Sequence, residues 1–456
     1  MEGEHTSRQI TEGVIWKQLL IFFFPILLGT FFQQMYNTVD TIIVGRFVGT
    51  QALAAVGSTS ALVNLINGFF IGLSTGASVV VSQFYGAGNW SGVKRSMGTN
   101  AVLAVILGIL AVAIGVVGSP RLLKLIKTPE SCLDDAIRYA TIYFCGAGAT
   151  VIYNMGAGIL RAMGDSKRPV YFLIITCFSN ILLDLLLVVV LKMGIAGAAI
   201  ATVLSQIVSA MLVVIALFRL PENIRPQPVQ VDTALLGKIL MIGLPAGLQF
   251  ITFELSNLLV QSGINSFGEI TTAAWTAFAK ADGLTWMVSG AFGVSITTFV
   301  GQNFGAQKYS RIRQSVRVCL GMSIATQLLI SGCTLTFREF ILGIYTTDVD
   351  VIQVGAYAML WIVPFNALFM FVEVFAGTMR GTGYSVVPTA ITSVCICCFR
   401  VLWMLLVVSR WHTIEMLCII YPISWVLASV AFVTTYLRGN WLRRRIEACG
   451  MIPEVR

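Results

Sequence analysis

IWKQLLIFFFPILLGTFFQQMYN, residues 15 to 37, decides the fold class. About 20 consecutive apolar residues cross the hydrocarbon core of a bilayer as a helix. This run is too long for the apolar region of a signal peptide and has no convincing small-x-small cleavage site, so it reads as a first membrane helix. Comparable runs recur as far as Leu437 with short polar breaks. The composition agrees: 57% of the 456 residues are hydrophobic, 11% are charged and the mean hydropathy is +0.84. A closed β-barrel would show alternation over about ten residues rather than unbroken apolar blocks.

Twelve spans are expected, at about 15–38, 53–80, 97–118, 136–158, 169–191, 194–218, 237–261, 272–298, 315–336, 351–376, 386–408 and 413–437. The longest polar interruption, LPENIRPQPVQVDTALLGK, carries prolines and charges that suit a surface linker. It divides the chain into residues 1–219, a linker at 220–237, residues 238–437 and a tail at 438–456. Most of the 30 Lys and Arg, including Arg8, Lys94, Arg95, Lys167, Arg168, Lys308, Arg311 and Arg443 to Arg445, fall on one side of this topology. Arg46, Arg121, Lys124, Lys127, Lys192, Arg338 and Arg410 fall opposite. The positive-inside rule then places both termini in the cytoplasm. Basic residues dispersed through loops account for the net charge of +9 without nucleic acid as a partner.

The halves repeat. QFYGAG at 83–88 reappears as QNFGAQ at 302–307, and ILRAMGDSKRPV at 159–170 as TMRGTGYSVVPT at 378–389, both at an offset of 219. Two separated matches in one register argue for duplication. Six spans per half make the repeats parallel, with a central cleft for alternating access. The fold class is thus an all-α polytopic membrane protein with twelve transmembrane helices in two homologous six-helix bundles. Pro25, with a weak counterpart in Pro245, lacks an amide donor and can bend its helix. Gly76 and Gly86 allow close backbone approach, as gating or packing positions.

Charged residues inside the spans point to transport. Asp40 follows the first apolar run; Asn180 and Asp184, four residues apart, share one helical face. Asn154 and Thr202 belong to the same half. Two carboxylates with amide and hydroxyl oxygens can bind sodium, for which Asp40, Asn180, Asp184 and Thr202 are the candidate ligands, or can share and release a proton. A competing reading pairs Asp40 with Arg46 at the outer interface and lets Asn154 and Thr202 satisfy local backbone groups. The second half carries Glu254, Lys280, Asp282 and Glu373, with Phe250, Phe253, Trp275, Trp286 and Phe369 as aromatic neighbours. A cationic apolar substrate would gain attraction from the acids and contact from the rings, although Lys280 offset by Asp282 would weaken that field.

The chain contains no GxxxxGK[ST] phosphate loop, no GxGxxG turn and no HExxH site. Its histidines are His5 and His412, and its ten cysteines show neither disulfide nor metal-ligand spacing. An enzyme, a nucleotide partner and a bound cofactor are therefore not expected; energy must come from an ion gradient or a partner, unless the protein merely equilibrates its substrate, and the paired intramembrane carboxylates favour the gradient.

QQMYNTVDTIIVGRFVG at 33–49, STGASVVVSQFYGAG at 74–88, LRAMGDSKRP at 160–169 and their second-half echoes together resemble the multidrug and toxic compound extrusion family. The resemblance implies two six-helix lobes, a central cavity and sodium- or proton-coupled antiport of amphipathic compounds, often organic cations. It implies coupling roles for the residues matching Asp40, Asp184, Asn180, Asn154 and Thr202, and a second acidic arrangement matching Glu254 and Glu373. The expected setting is a prokaryotic cytoplasmic membrane, with the chain acting as a monomer. A related lipid-linked oligosaccharide flippase is the alternative; it would favour a more basic cavity than these acids provide. A non-transporting scaffold or receptor would bind without vectorial flux.

Overall fold

The computed structural model describes residues 10–126, 128–226, 231–438 and 440–449. His5, Arg8, Lys127, Arg456, part of the linker and the end of the tail lie outside the described residues. The membrane helices are α1 (Ile15–Phe47), α2 (Thr50–Gly86), α3 (Trp90–Leu125), α4 (Glu130–Cys145 with Ala147–Ala162), α5 (Lys167–Val190) and α6 (Gly194–Phe218). The second half supplies α7 (Thr233–Asn265), α8 (Glu269–Gly305), α9 (Tyr309–Thr336), α10 (Val349–Gly381), α11 (Val386–Val408) and α12 (Ile414–Arg438). Eleven of these pass as single apolar spans, and the two pieces of α4, bent by 45° at Gly146, complete the twelve.

The helices end where turn chemistry stops them. Asn89 caps α3 by accepting from the Gly92 amide at 2.9 Å. In the LRAMGDSKRP turn, Gly164 takes φ +100° and the Asp165 carboxylate accepts from the amides of Lys167 and Arg168 at 3.2 and 3.1 Å, opening α5. Its repeat partner Gly383 takes φ +84°. Gly49 and Gly268, also 219 residues apart, have φ +121° and +94°, and Gly88 is matched by Gln307 at +65° and +58°. A glutamine held left-handed at that last position marks a turn inherited by duplication, because the conformation favours glycine. The wider π-helical turn Leu185–Val190 in α5 likewise recurs at Met404–Val408 in α11. The duplication is therefore legible in the backbone as well as the sequence.

Contacts group the described chain into two compact units, one built mainly on Phe24–Ile251, the other mainly on Thr252–Phe304 with the residues from Lys308 onward. Glu12–Phe23 belongs with the second. The division of α1 thus falls beside Pro25, which lies inside that helix.

Within the first unit, α2 and the start of α7 approach through glycines. A methyl group built on Gly76 would lie 2.3 Å from the Ile239 carbonyl oxygen and 2.7 Å from the Gly243 amide nitrogen. Gly86 is the buried last residue of α2. Gly76→Val should therefore cost about 1–3 kcal/mol by overpacking. It is expected to lower the thermal unfolding midpoint of the detergent-solubilised protein, whereas Gly237→Ala, with nothing within 4 Å of the added methyl, should not. Equal midpoints for the two variants would contradict this packing.

Candidate functional site

α1 does not stop at residue 38, where its sequence turns polar, but continues to Phe47. The hydroxyls of Thr38 and Thr41 donate back to the carbonyls of Gln34 and Asn37 at 2.9 and 2.7 Å, so these side chains are satisfied within the helix. Asp40 is thereby carried into the first unit, 6% exposed, where its carboxylate neighbours that of Asp184 on α5. Asp184 and Asn180 are 0% exposed and lie one turn apart on α5, immediately before its π-helical segment. π-Helical turns inside α-helices frequently mark functional sites.

No donor reaches Asp40 Oδ1 or either carboxylate oxygen of Asp184, and both polar atoms of the Asn180 amide also lack partners. Two facing carboxylates in a buried setting repel each other and are poorly solvated. A proton held between them or a monovalent cation among their oxygens removes that conflict. Among the described residues no basic side chain is ion-paired to either acid; Arg46, the alternative partner for Asp40, is exposed. Asn154 and Thr202 direct their side-chain donors to the carbonyls of Thr150 and Ala198, at 2.9 and 3.1 Å. Their remaining lone pairs are all they can offer an ion.

Sequence reading did not select the tyrosines around this pair. Tyr36 of α1 lies within electrostatic reach of Asp40, and Tyr139 of α4 within reach of both Asp40 and Asp184. Tyr143 stacks on Tyr139 with ring centroids 6.3 Å apart. Its hydroxyl accepts from Asn67 Nδ2 at 2.9 Å and Gln206 Nε2 at 3.4 Å. The signal was available: Tyr36 and Asp40 are one helical turn apart, as are Tyr139 and Tyr143.

The second unit distributes its charges differently. Asp282 is 6% exposed and accepts from Asn366 Nδ2 at 3.0 Å, with Thr285 and Trp286 as further partners. Lys280 is exposed on the same helix and forms no ion pair with Asp282. Glu373 lies against Gly293 and pairs with Arg380 at 3.6 Å, so its charge is already opposed. Glu254 is half-buried on α7. Trp286 meets Phe253 and Phe369 at centroid distances of 6.2 and 4.9 Å, while Trp275 meets Phe278 and Tyr421 at 5.4 and 5.6 Å. Phe250 belongs instead to the first unit, where it packs on Gly68.

The duplication is chemically unequal. At the offset of 219, Asp40, Asn180 and Asp184 correspond to Leu259, Phe399 and Trp403. Only the first half carries the acid pair, although both halves keep the π-helical turn beside it.

Comparison with known proteins agrees with this architecture. Over 445 residues the chain is 28% identical to "Probable multidrug resistance protein YoeA" of Bacillus subtilis (strain 168), covering 95% of each chain. It is 25% identical to "Probable multidrug resistance protein NorM" of Thermotoga maritima, covering 97% of this chain and 96% of that one. A solved multidrug resistance MATE family transporter of the MOP superfamily, in an outward-facing conformation, superposes with a TM-score of 0.87 at 22% identity, over 98% of this chain and all of that one. The MatE family model matches twice, at residues 25–186 and 245–406, once in each repeat. With both halves matched and the full twelve-helix fold shared, the chain belongs to the MatE family of multidrug transporters.

Proposed function

We propose that Asp40 and Asp184 form the point at which export is coupled to a cation gradient. Family membership makes the chain an alternating-access, ion-coupled exporter of small molecules rather than an enzyme. The observation that carries the coupling site is a pair of facing, buried carboxylates with three of their four oxygens lacking a donor. Asn180 supplies a neutral oxygen beside them, and Thr202 and Asn154 complete the set with weaker claims. Sodium or a proton entering from outside binds this set in one conformation and leaves it in the other. Unequal affinity in the two states is what converts the gradient into substrate movement.

The substrate is an amphipathic compound, most simply an organic cation, given the acids of the second half and the multidrug names of the relatives. Glu254, Glu373, Asp282, Trp275 and Phe250 are the substrate-side candidates, and Lys280 modulates their field. The protein works as a monomer in a prokaryotic cytoplasmic membrane with both termini inside. Residues 1–219 and 238–437 act as the two lobes, joined by a cytoplasmic linker at 220–237 and followed by a cytoplasmic tail at 438–456. Pro25, Gly76 and Gly86 serve bending and close packing.

The test uses sealed vesicles carrying the purified protein and a fluorescent organic cation, with a sodium or a proton gradient imposed. Native protein should move the dye under one of the gradients, and Asp40→Asn should not. Equal gradient-driven movement by a correctly inserted Asp40→Asn protein would sink the coupling role.

A further inference from the structure

The most deeply buried charge in the second unit is one that the acid-based reading leaves unused. Arg400, 1% exposed, lies in α11 between two π-helical segments, Ser393–Cys398 and Met404–Val408. Its Nε donates to Ser424 Oγ at 3.1 Å, and its guanidinium carbon sits 4.3 Å from the centre of the Tyr421 ring. Ser424 in turn donates to the Tyr421 carbonyl at 2.8 Å, leaving its oxygen free to accept from the arginine. Arg400 Nη2 is buried with no acceptor, and no carboxylate pairs with it among the described residues. The neighbouring indole, Trp425, 1% exposed, packs on the same Tyr421 ring at 6.0 Å between centroids, and its Nε1 is a second buried donor without an acceptor.

The acids of this unit do not answer that charge. Asp282, which also approaches Tyr421, is committed to Asn366, Thr285 and Trp286. Glu373 is paired with Arg380, and Glu415 accepts from the Tyr357 hydroxyl at 2.8 Å. A guanidinium inside a membrane helix needs a counter-charge or an equivalent set of acceptors, and one aromatic face with one hydroxyl is less than that. In repeat register Arg400 matches Ile181, the residue after Asn180. The helix that presents acid in the first half thus presents base in the second.

We propose that Arg400, Ser424, Tyr421 and Trp425 form a binding site for a compact monoanion, a halide or a carboxylate group. The guanidinium supplies charge and a buried N–H without an acceptor, and the indole supplies a second such N–H from a side chain packed on the same Tyr421 ring. This site is independent of the carboxylate pair of the first unit, so it stands or falls separately from the coupling role of Asp40 and Asp184.

The test follows the thermal unfolding midpoint of the purified full-length protein in sodium chloride, sodium acetate and the sodium salt of a bulky sulfonate, at constant sodium and ionic strength. A saturable rise with chloride or acetate over the sulfonate is expected, absent in Arg400→Gln. Trp425→Phe, which keeps the ring bulk and removes only the N–H, should weaken apparent anion affinity roughly tenfold, equivalent to about 1.4 kcal/mol. If Arg400→Gln does not fold, Trp425→Phe carries the test alone. Chloride-only stabilisation identifies an inorganic anion site; competition between acetate and chloride identifies a carboxylate-accepting one. Identical midpoints in all three salts for the native protein, or anion affinity unchanged in Trp425→Phe, would overturn the proposal.

Discussion

Asp184→Asn is expected to collapse gradient-driven accumulation of substrate to the passive ratio of about one while leaving a folded, inserted protein. Electroneutral one-for-one exchange against a 100-fold cation gradient can hold substrate at a ratio of up to about 100, equivalent to roughly 2.7 kcal/mol. That ratio survives only if the cation and the substrate are bound in mutually exclusive states. An amide at residue 184 cannot take up a proton and attracts sodium less than a carboxylate does. It can still donate to Asp40, the nearest unsatisfied acceptor on α1, so the local packing between α1 and α5 is kept. The measurement is the steady-state dye ratio across vesicles at fixed gradient, with insertion checked by protease accessibility. The variant Asp40→Asn/Asp184→Asn should be no worse than either single change, because two groups that hold one cation act as a unit. Accumulation more than about tenfold above passive in Asp184→Asn would show that coupling resides elsewhere in the chain.

Asn366→Leu should be the most damaging polar deletion in the second unit. Asn366, 1% exposed, donates to Asp282 Oδ1 at 3.0 Å and reaches Thr285 Oγ1 at 3.5 Å. Gln327 donates to that same threonine oxygen and to Ser331, both at 3.3 Å, so the amide sits at the centre of a buried chain of polar groups. Removing it deprives the buried Asp282 carboxyl of the amide donor at 3.0 Å, a loss of about 3 kcal/mol where one partner of a buried polar pair is deleted. The expected result is a clear drop in thermal midpoint. Asp282→Leu/Asn366→Leu should recover much of it, since deleting both partners removes the unsatisfied group along with the bond. A double variant less stable than Asn366→Leu alone would mean that Asp282 stabilises through contacts other than this amide.

The sequence by itself determined the class, the helix number and the duplication, because bilayer thickness and backbone satisfaction tie long apolar runs to helices almost without regard to tertiary context. It also singled out Asp40 and Asp184, since an acid among apolar neighbours is anomalous wherever it lies. The i,i+4 spacing of Asn180 and Asp184 put them on one face before any packing was known. Tertiary structure alone decided which anomalies meet. Asp40 reaches Asp184 because α1 runs nine residues beyond its expected end at residue 38; hydropathy does not say whether a helix stops or continues where polar residues such as Gln33, Gln34, Asn37 and Thr38 interrupt the apolar run. Lys280 and Asp282 are neighbours in sequence, yet one is exposed and the other is bound to Asn366, 84 positions away. Arg400 escaped notice inside CICCFRVLWML, where its burial depends on Tyr421 and Ser424 of the next helix. Local sequence fixes which segments must be helical; only packing between helices fixes which side chains share a desolvated pocket, and in a low-dielectric interior that sharing sets the chemistry.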